Sequence, residues 1–229
     1  MRYAEVMALL EQNADPRGIA HWNKIKKDEY TNTTFGIGVT KLRALAKKIK
    51  KDHELALQLW DSNVWDAKMI AIFIEEPKKI TKEQIERQIA KGFNWLTADK
   101  YCELIVETPY ALEFIEAWKD AENELTRRSA YTLLSYVAKG NPELDDTYFF
   151  GHLEAIRNLQ QAPNFVKDAM NNCLLTIGSR SWPLYTECLV IAKSIGKVVV
   201  DYGDNSCQAL DAVKHLNGDR IKNKFALTR

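Results

Sequence analysis

The spacing of apolar side chains is the feature that most limits what this chain can fold into. Along almost the whole sequence apolar residues recur at intervals of three and four, the period of an amphipathic helix. The only strongly β-branched run, Val198-Val199-Val200, is short. We therefore predict an all-α fold. Helices are expected near residues 3–13, 17–27, 39–51, 54–61, 64–75, 124–138, 144–159, 164–177, 183–195 and 207–216, with others beginning near Thr81, Thr97 and Thr108.

Three segments at helix starts form a weak internal repeat. Val64–Met69, Leu125–Ala130 and Phe165–Met170 align without gaps, at spacings of 61 and 40 residues. The second spacing is that of a two-helix repeat of the HEAT class, and such repeats stack into a curved solenoid. We therefore expect a HEAT-like helical-repeat solenoid, an α-α superhelix, as a single domain over residues 1–229. The alternative is a compact irregular bundle.

Composition excludes some classes and leaves others open. No apolar run approaches the roughly 18 residues that a membrane span needs, and the N-terminus does not resemble a signal peptide. The net charge of +1 counts mildly against a nucleic-acid partner without excluding it. We predict a cytoplasmic protein with no metal or cofactor, no membrane partner and no oligomer. The cysteines, expected as buried or half-buried thiols without CxxC spacing, are Cys102, Cys173, Cys188 and Cys207.

Trp95 and Asp99 form the most informative local pair. Residues four apart on a helix share a face, so an indole and a carboxylate would lie together there. We predict that Thr97 caps the helix, which places Trp95 just before it and Asp99 in its first turn. The ordinary interpretation, a core indole and a helix-start carboxylate bonded to local amides, remains open.

Several segments in order resemble the AlkD-type family of alkylpurine DNA glycosylases, which are HEAT-like repeat DNA alkylation repair proteins. The resemblance covers nearly the whole chain, although no single motif is specific. The matching segments are Tyr30 with Phe35-Gly36-Ile37-Gly38-Val39 and the helix after it, Asp52 to Trp60, Asn94-Trp95 with Asp99, Arg127-Arg128-Ser129-Ala130, and Asn164 to Ala169.

The resemblance implies a reaction and a set of site residues. Asp99 would stabilise the sugar cation left when a purine alkylated at N3 or N7 departs, and would position or deprotonate the attacking water. Trp95 would contact the sugar or the cationic base, worth about 0.5–2 kcal/mol. Double-stranded DNA would be held through its phosphates. The predicted DNA-binding residues are Arg127, Arg128, Lys167, Arg43, Lys47 and Tyr30.

One departure from the family pattern leaves the function open. Active members carry a second tryptophan, and the corresponding position here is Asn172. Three functions therefore stand. The first is a monofunctional glycosylase, a hydrolase of N-glycosyl bonds, which the retained Asp99 favours. The second is a DNA-binding relative that recognises distorted or branched DNA without glycosylase activity, which Asn172 favours. The third is a protein–protein scaffold, which the near-neutral charge favours.

Overall fold

The computed structural model describes residues 1–25, 32–90 and 94–226, and these residues confirm the predicted all-α fold. The helices of the first half are α1 (Tyr3–Gln12), α2 (Pro16–Ile25), α3 (Val39–Ile49), α4 (His53–Trp60), α5 (Trp65–Ile74), α6 (Lys82–Ala90) and α7 (Trp95–Ile105). Those of the second half are α8 (Ala111–Trp118), α9 (Glu124–Gly140), α10 (Asp146–Arg157), α11 (Asn164–Gly178), α12 (Trp182–Ile195), α13 (Ala212–Leu216) and α14 (Asp219–Lys224). A short 3-10 helix, Leu159–Gln161, precedes α11.

The described residues group into two compact units, each with its own apolar core. The N-terminal unit is drawn from Met1–Thr108 with Tyr202–Ser206, and the C-terminal unit from Pro109–Asp201 with Cys207–Arg229. The single-domain expectation for residues 1–229 stays a prediction. In the N-terminal unit α5 packs against both α3 and α4, which explains why its sequence is apolar on nearly every side.

A buried carboxylate holds the loop before α3. Asp66 has no exposed surface, and its two oxygens accept hydrogen bonds from the Thr34 hydroxyl at 2.7 Å, the Phe35 amide at 2.7 Å and the Ile37 amide at 2.9 Å. A buried charge is tolerated when several donors satisfy it. The loop is therefore fixed to the first turn of α5.

Glycine is required where the same loop crosses α2. Gly36 has φ +73°, and a Cβ at Gly18 would lie 1.9 Å from the Gly36 carbonyl oxygen. A side chain at either position would collide with backbone, so the crossing depends on both glycines.

In the C-terminal unit, α9 and α11 form the most extensive helix pair among the described residues. The two aligned segments of the predicted repeat lie at the starts of these helices. Leu125 and Phe165 are each the second residue of their helix, so the 40-residue spacing joins equivalent positions. Val64 instead precedes α5 as its cap residue, so the first segment of the alignment is shifted by two residues.

The predicted starts of α8 and α13 were wrong. The Thr108 hydroxyl donates to the Ile105 carbonyl at 2.7 Å, so it finishes α7 and does not start α8, which begins at Ala111. The helix predicted over 207–216 begins only at Ala212, where Asp211 accepts a bond from the Lys214 amide at 2.9 Å. A separate helix, α14, follows Gly218.

Candidate functional site

Trp95 and Asp99 lie on one face of α7, four residues apart within the same helix. Asn94, and not Thr97, is the cap: its side-chain oxygen accepts bonds from the Thr97 amide and the Thr97 hydroxyl, both at 2.8 Å. The prediction of Thr97 as cap was therefore wrong. Trp95 is the first helical residue, and Asp99 lies beyond the first turn.

The Thr97 hydroxyl is used instead to fix α7 to α5. It accepts a hydrogen bond from the Trp65 indole nitrogen at 2.8 Å while donating to Asn94. Trp65 is buried, and its ring centroid lies 5.4 Å from that of Trp22. The start of α7, which carries Trp95 and Asp99, is thus anchored to the core of the N-terminal unit.

A residue distant in sequence lies beside Trp95. The Tyr202 ring meets the Trp95 indole edge-on, with centroids 6.1 Å apart and an interplanar angle of 65°. Tyr202 belongs to a turn in which the Asn205 side chain donates to the Tyr202 carbonyl at 2.7 Å and Gly203 has φ +84°. Trp95, Asp99 and Tyr202 are all half-buried, so each is in contact with the fold and with solvent.

A cationic groove lies between α3, α5 and α7 of the N-terminal unit. It encloses about 450 Å³, and Phe73 and Leu104 are among its apolar residues. Lys100, on α7, is one residue from Asp99. Five cations and two carboxylates line this surface, which we call the N-terminal groove: Arg43, Lys47, Lys50, Lys51, Lys100, Glu103 and Glu107.

Glu103 organises part of the cationic charge in the N-terminal groove. It bonds to Arg43 and, at 2.5 Å, to Lys100, while the Arg43 guanidinium lies 4.3 Å from the centre of the Phe73 ring. Burial acts to raise the pKa of Glu103, but the hydrogen bonds and charges of Lys100 and Arg43 outweigh it and hold the pKa below its ordinary value. Arg43 and Lys47 are both exposed.

The predicted DNA-binding residues of the C-terminal unit differ in accessibility. Arg128 is only 2% exposed; it donates to the Phe165 carbonyl at 2.7 Å and to Asp168 at 2.9 Å. The Asn172 amide donates to the other Asp168 oxygen at 3.2 Å. Arg128 therefore joins α9 to α11, and direct phosphate contact by it stays a prediction.

Arg127 and Lys167 lie at equivalent places, each one residue before a member of that buried pair. Both are half-buried. Burial raises the pKa of Tyr131 to about 12, with the Arg127 charge opposing the rise. Tyr30, predicted to line the same DNA-binding surface, lies outside the described residues.

Asn172 lines a cavity of about 630 Å³ together with Leu210 and Lys214. Trp182, the nearest tryptophan in sequence, is not among the described residues around that cavity. It stacks on Tyr185 instead, with ring centroids 5.3 Å apart.

Among the site residues, the sequence did not indicate Tyr202, Phe73, Lys100 or Glu103. Tyr202 is more than 100 residues from Trp95 in the chain, and nothing in the sequence pairs the two. Cys207 also differs from expectation, since it is exposed whereas Cys102, Cys173 and Cys188 are buried.

The described residues contain no helix with the length and apolar character that crossing a bilayer requires. No cluster of three or more His, Cys, Asp or Glu side chains placed to hold a metal ion occurs in the part of the chain that the structure describes.

Comparison with known proteins identifies related sequences and a common fold. A model of the family described as DNA alkylation repair enzyme matches residues 6–195. The uncharacterized protein Lmo0209 of Listeria monocytogenes is 29% identical over 195 residues, covering 83% of this chain and 85% of the relative. The uncharacterized protein Lin0241 of Listeria innocua is 29% identical over 191 residues, covering 81% and 83%.

A solved structure shares the fold with a TM-score of 0.83 and 23% identity, covering 99% of this chain and 95% of the other. It is described as belonging to a new family of proteins related to the HEAT-like repeat DNA glycosylases, with affinity for branched DNA structures. The likeness confirms the predicted HEAT-like helical-repeat fold.

Proposed function

Since this chain belongs to the DNA alkylation repair enzyme family, we propose that it binds alkylated DNA and releases cationic purines at a site built on Asp99 and Trp95. One observation carries the proposal: an indole and a carboxylate share a half-exposed face of α7, whose start is fixed by Asn94, Thr97 and Trp65. A fixed anion beside a π-surface suits a cationic base and the sugar cation that it leaves.

The reaction would be hydrolysis of the N-glycosidic bond. A purine methylated at N3 or N7 is positively charged, so the base departs as a neutral molecule with the electron pair of the broken bond. The positive charge then develops on the sugar, where the Asp99 carboxylate would stabilise it. Water would add to the sugar C1′, and Asp99 would accept the proton that the water loses.

Trp95 would position the lesion. Its π-face would attract the cationic base or the sugar, which contributes about 0.5–2 kcal/mol. The edge-on contact with Tyr202 restrains the indole, so that less side-chain entropy is lost when the lesion binds.

Phosphate binding would come chiefly from the N-terminal groove. Its five cations exceed its two carboxylates, although the whole chain is close to neutral. Each phosphate neutralised releases counterions, so binding to this groove should weaken steeply with salt. Arg127 and Lys167 would add contacts from the C-terminal unit.

A second function is favoured by Asn172, which stands where active relatives of the resembled family carry an aromatic residue. With an amide hydrogen-bonded to Asp168 at that place, the lesion would have one stacking surface fewer. In this alternative the protein would recognise distorted or branched DNA without breaking the glycosidic bond. The related solved structure, described as having affinity for branched DNA, supports this alternative.

Base release is the experiment that separates the two functions. Duplex DNA containing N7-methylguanine or N3-methyladenine is incubated with the wild type, Asp99→Asn and, as a matched control, Asp61→Asn, which changes an exposed aspartate after α4. We expect the wild type and the control to release the methylated base, and Asp99→Asn to release it about 100-fold more slowly.

Equal release by all three proteins would remove Asp99 from the mechanism. Absence of release by the wild type, together with binding of branched DNA in a parallel titration, would assign the second function.

A further inference from the structure

The C-terminal unit carries an exposed tryptophan, packed on two less exposed aromatic rings, that the proposed site does not use. All six tryptophans lie within the described residues, and only Trp182 is exposed, with half of its surface in contact with solvent. It stacks on Tyr185 at an interplanar angle of 24°, and Phe225 meets it edge-on with ring centroids 6.0 Å apart. We call Trp182, Tyr185 and Phe225 the aromatic platform. A tryptophan ring that lies half in water offers a face on which another flat ring can stack.

The aromatic platform is held rigidly. Trp182 is the first residue of α12 and is followed by Pro183, which suits the first turn of a helix. Ser181 caps the helix and its hydroxyl donates to Asp146 at 2.5 Å. The exposed indole therefore projects from a fixed helix start, and binding to it would cost little conformational entropy.

A cationic cleft adjoins the aromatic platform. It encloses about 530 Å³, and its lining contains four cations against one carboxylate: Lys139, Arg180, Arg220 and Lys224 against Asp146. Ser181 and Lys224, both in the lining, immediately precede Trp182 and Phe225 in the chain. The cleft and the aromatic platform are thus parts of one surface.

The four cations of the cleft divide into two kinds. Arg180 donates to the carbonyls of Ala138 and Asn141 at 3.0 and 2.8 Å, and Lys224 donates to the Ser179 carbonyl at 2.6 Å, so both hold the fold together. Lys139 and Arg220 are exposed, and no salt bridge among the described residues involves either of them. These two side chains are available for an anionic ligand.

An exposed indole beside exposed cations matches the chemistry of a single-stranded nucleic acid, in which flat bases alternate with anionic phosphates. Bases inside a duplex are already stacked on their neighbours, whereas an unpaired base has an open face. A duplex would therefore use only the cations, while a strand with an unpaired base would use the cations and the indole together.

We infer that this face is a second nucleic-acid site, which stacks an unpaired base on Trp182 and holds the adjoining phosphates with Lys139 and Arg220. The inference rests on the proposed DNA-binding function and adds to it a preference for DNA with a single-stranded segment. Arg220 and Phe225 lie beyond residues 6–195, the stretch that the family model matches.

The test compares two labelled DNAs, a blunt duplex and the same duplex with a short single-stranded overhang, by fluorescence anisotropy. One stacked base corresponds to a preference for the overhang of about five- to hundredfold in the wild type. Trp182→Ala should abolish this preference and leave blunt-duplex affinity unchanged, while Trp182→Phe should retain part of it. Val190→Ala is the matched control, since Val190 is an apolar residue of the same helix and is 53% exposed.

A second pair of substitutions tests the cations. Lys139→Gln combined with Arg220→Gln should weaken overhang binding and lower its salt dependence by about two counterions. Thermal denaturation of every variant confirms that the fold is intact, which the exposure of these side chains makes the expected result.

The outcomes separate this inference from the proposed function. If the wild type binds both DNAs equally, or if Trp182→Ala keeps the overhang preference, the second site is wrong while DNA binding stands. Either outcome is also expected if the aromatic platform binds a protein and not a nucleic acid. If the wild type binds neither DNA, the proposed function fails as well.

Discussion

Arg43 and Arg128 were both predicted to contact DNA, and the two units place them in opposite environments. The Arg43 side chain is 44% exposed and bonds to Glu103 in the N-terminal groove. The Arg128 side chain is 3% exposed and bonds to Asp168 between α9 and α11. An exposed pair is worth about 0–1 kcal/mol and exchanges partners easily, whereas breaking a buried pair leaves an uncompensated charge. Burial therefore leaves the Arg43 side chain in contact with solvent and encloses that of Arg128, although both residues were predicted from the same property, their charge.

The largest expected effect is on the buried arginine. Arg128→Ala should lower the free energy of unfolding by about 3–5 kcal/mol, because Asp168 would remain buried without its cation. Urea denaturation of the wild type and the variant measures this. Arg127→Ala, one residue earlier and half-buried, is the control and should cost far less. If Arg128→Ala were as stable as the wild type but had lost DNA affinity, Arg128 would serve DNA binding and not stability, contrary to this comparison.

The second-largest effect is expected at Asn94, the cap residue of α7. Asn94→Ala removes the acceptor for the Thr97 amide and should destabilise the N-terminal unit by about 1 kcal/mol. It should also slow base release, because the start of α7 positions Trp95 and Asp99. Asn123→Ala, which removes the corresponding acceptor at the start of α9, is a matched control of similar cost. Equal release rates in the two variants would show that the α7 cap does not position the site.

Cations in the N-terminal groove should affect binding and leave stability nearly unchanged. Arg43→Ala and Lys47→Gln should each weaken duplex binding by a factor of about 3–10 and lower the salt slope by about one. Affinity measured over a series of salt concentrations provides both quantities, with exposed Lys78→Gln as the control. Unchanged slopes for both groove variants would exclude this groove as a phosphate-binding surface.

Glu103 should show the smallest effect. Its folded-state pKa lies below the ordinary 4.5, so its stabilisation is present above pH 4.5 and is lost as pH falls through the folded value. Glu103→Gln should lower stability at pH 7 by less than about 1 kcal/mol, since both partners of the pair are partly exposed. The difference from wild type should vanish in acid, as measured by urea denaturation across pH. A difference that does not shrink as the pH falls below 4.5 would contradict this account.

The sequence predicted the helices well because apolar periodicity records which face of each helix is buried. It failed at helix starts where two polar residues compete, as at Asn94 and Thr97, since only three-dimensional contact with Trp65 decides which of them caps. The Trp95–Asp99 pair was predictable because both residues lie on one helix. Tyr202 was not predictable as their neighbour, since its position depends on how distant segments of the chain come together.

Charge was the least predictable property of the site. Arg43 and Lys47 were predicted from the sequence, but Phe73 and Lys100, which complete the N-terminal groove, come from two other helices. The burial of Arg128 likewise depends on Asp168, 40 residues away in the chain. A single sequence shows which residues are cationic, and the structure shows which of them reach solvent.

Lysine acetylation with and without alkylated duplex DNA tests most directly whether DNA lies against the N-terminal groove. Mass spectrometry measures the modification rate of each lysine. The account predicts that DNA slows acetylation of Lys47, Lys50 and Lys100 several-fold, while exposed Lys78 reacts at an unchanged rate. The account would be contradicted if bound DNA left the acetylation rate of all four lysines unchanged.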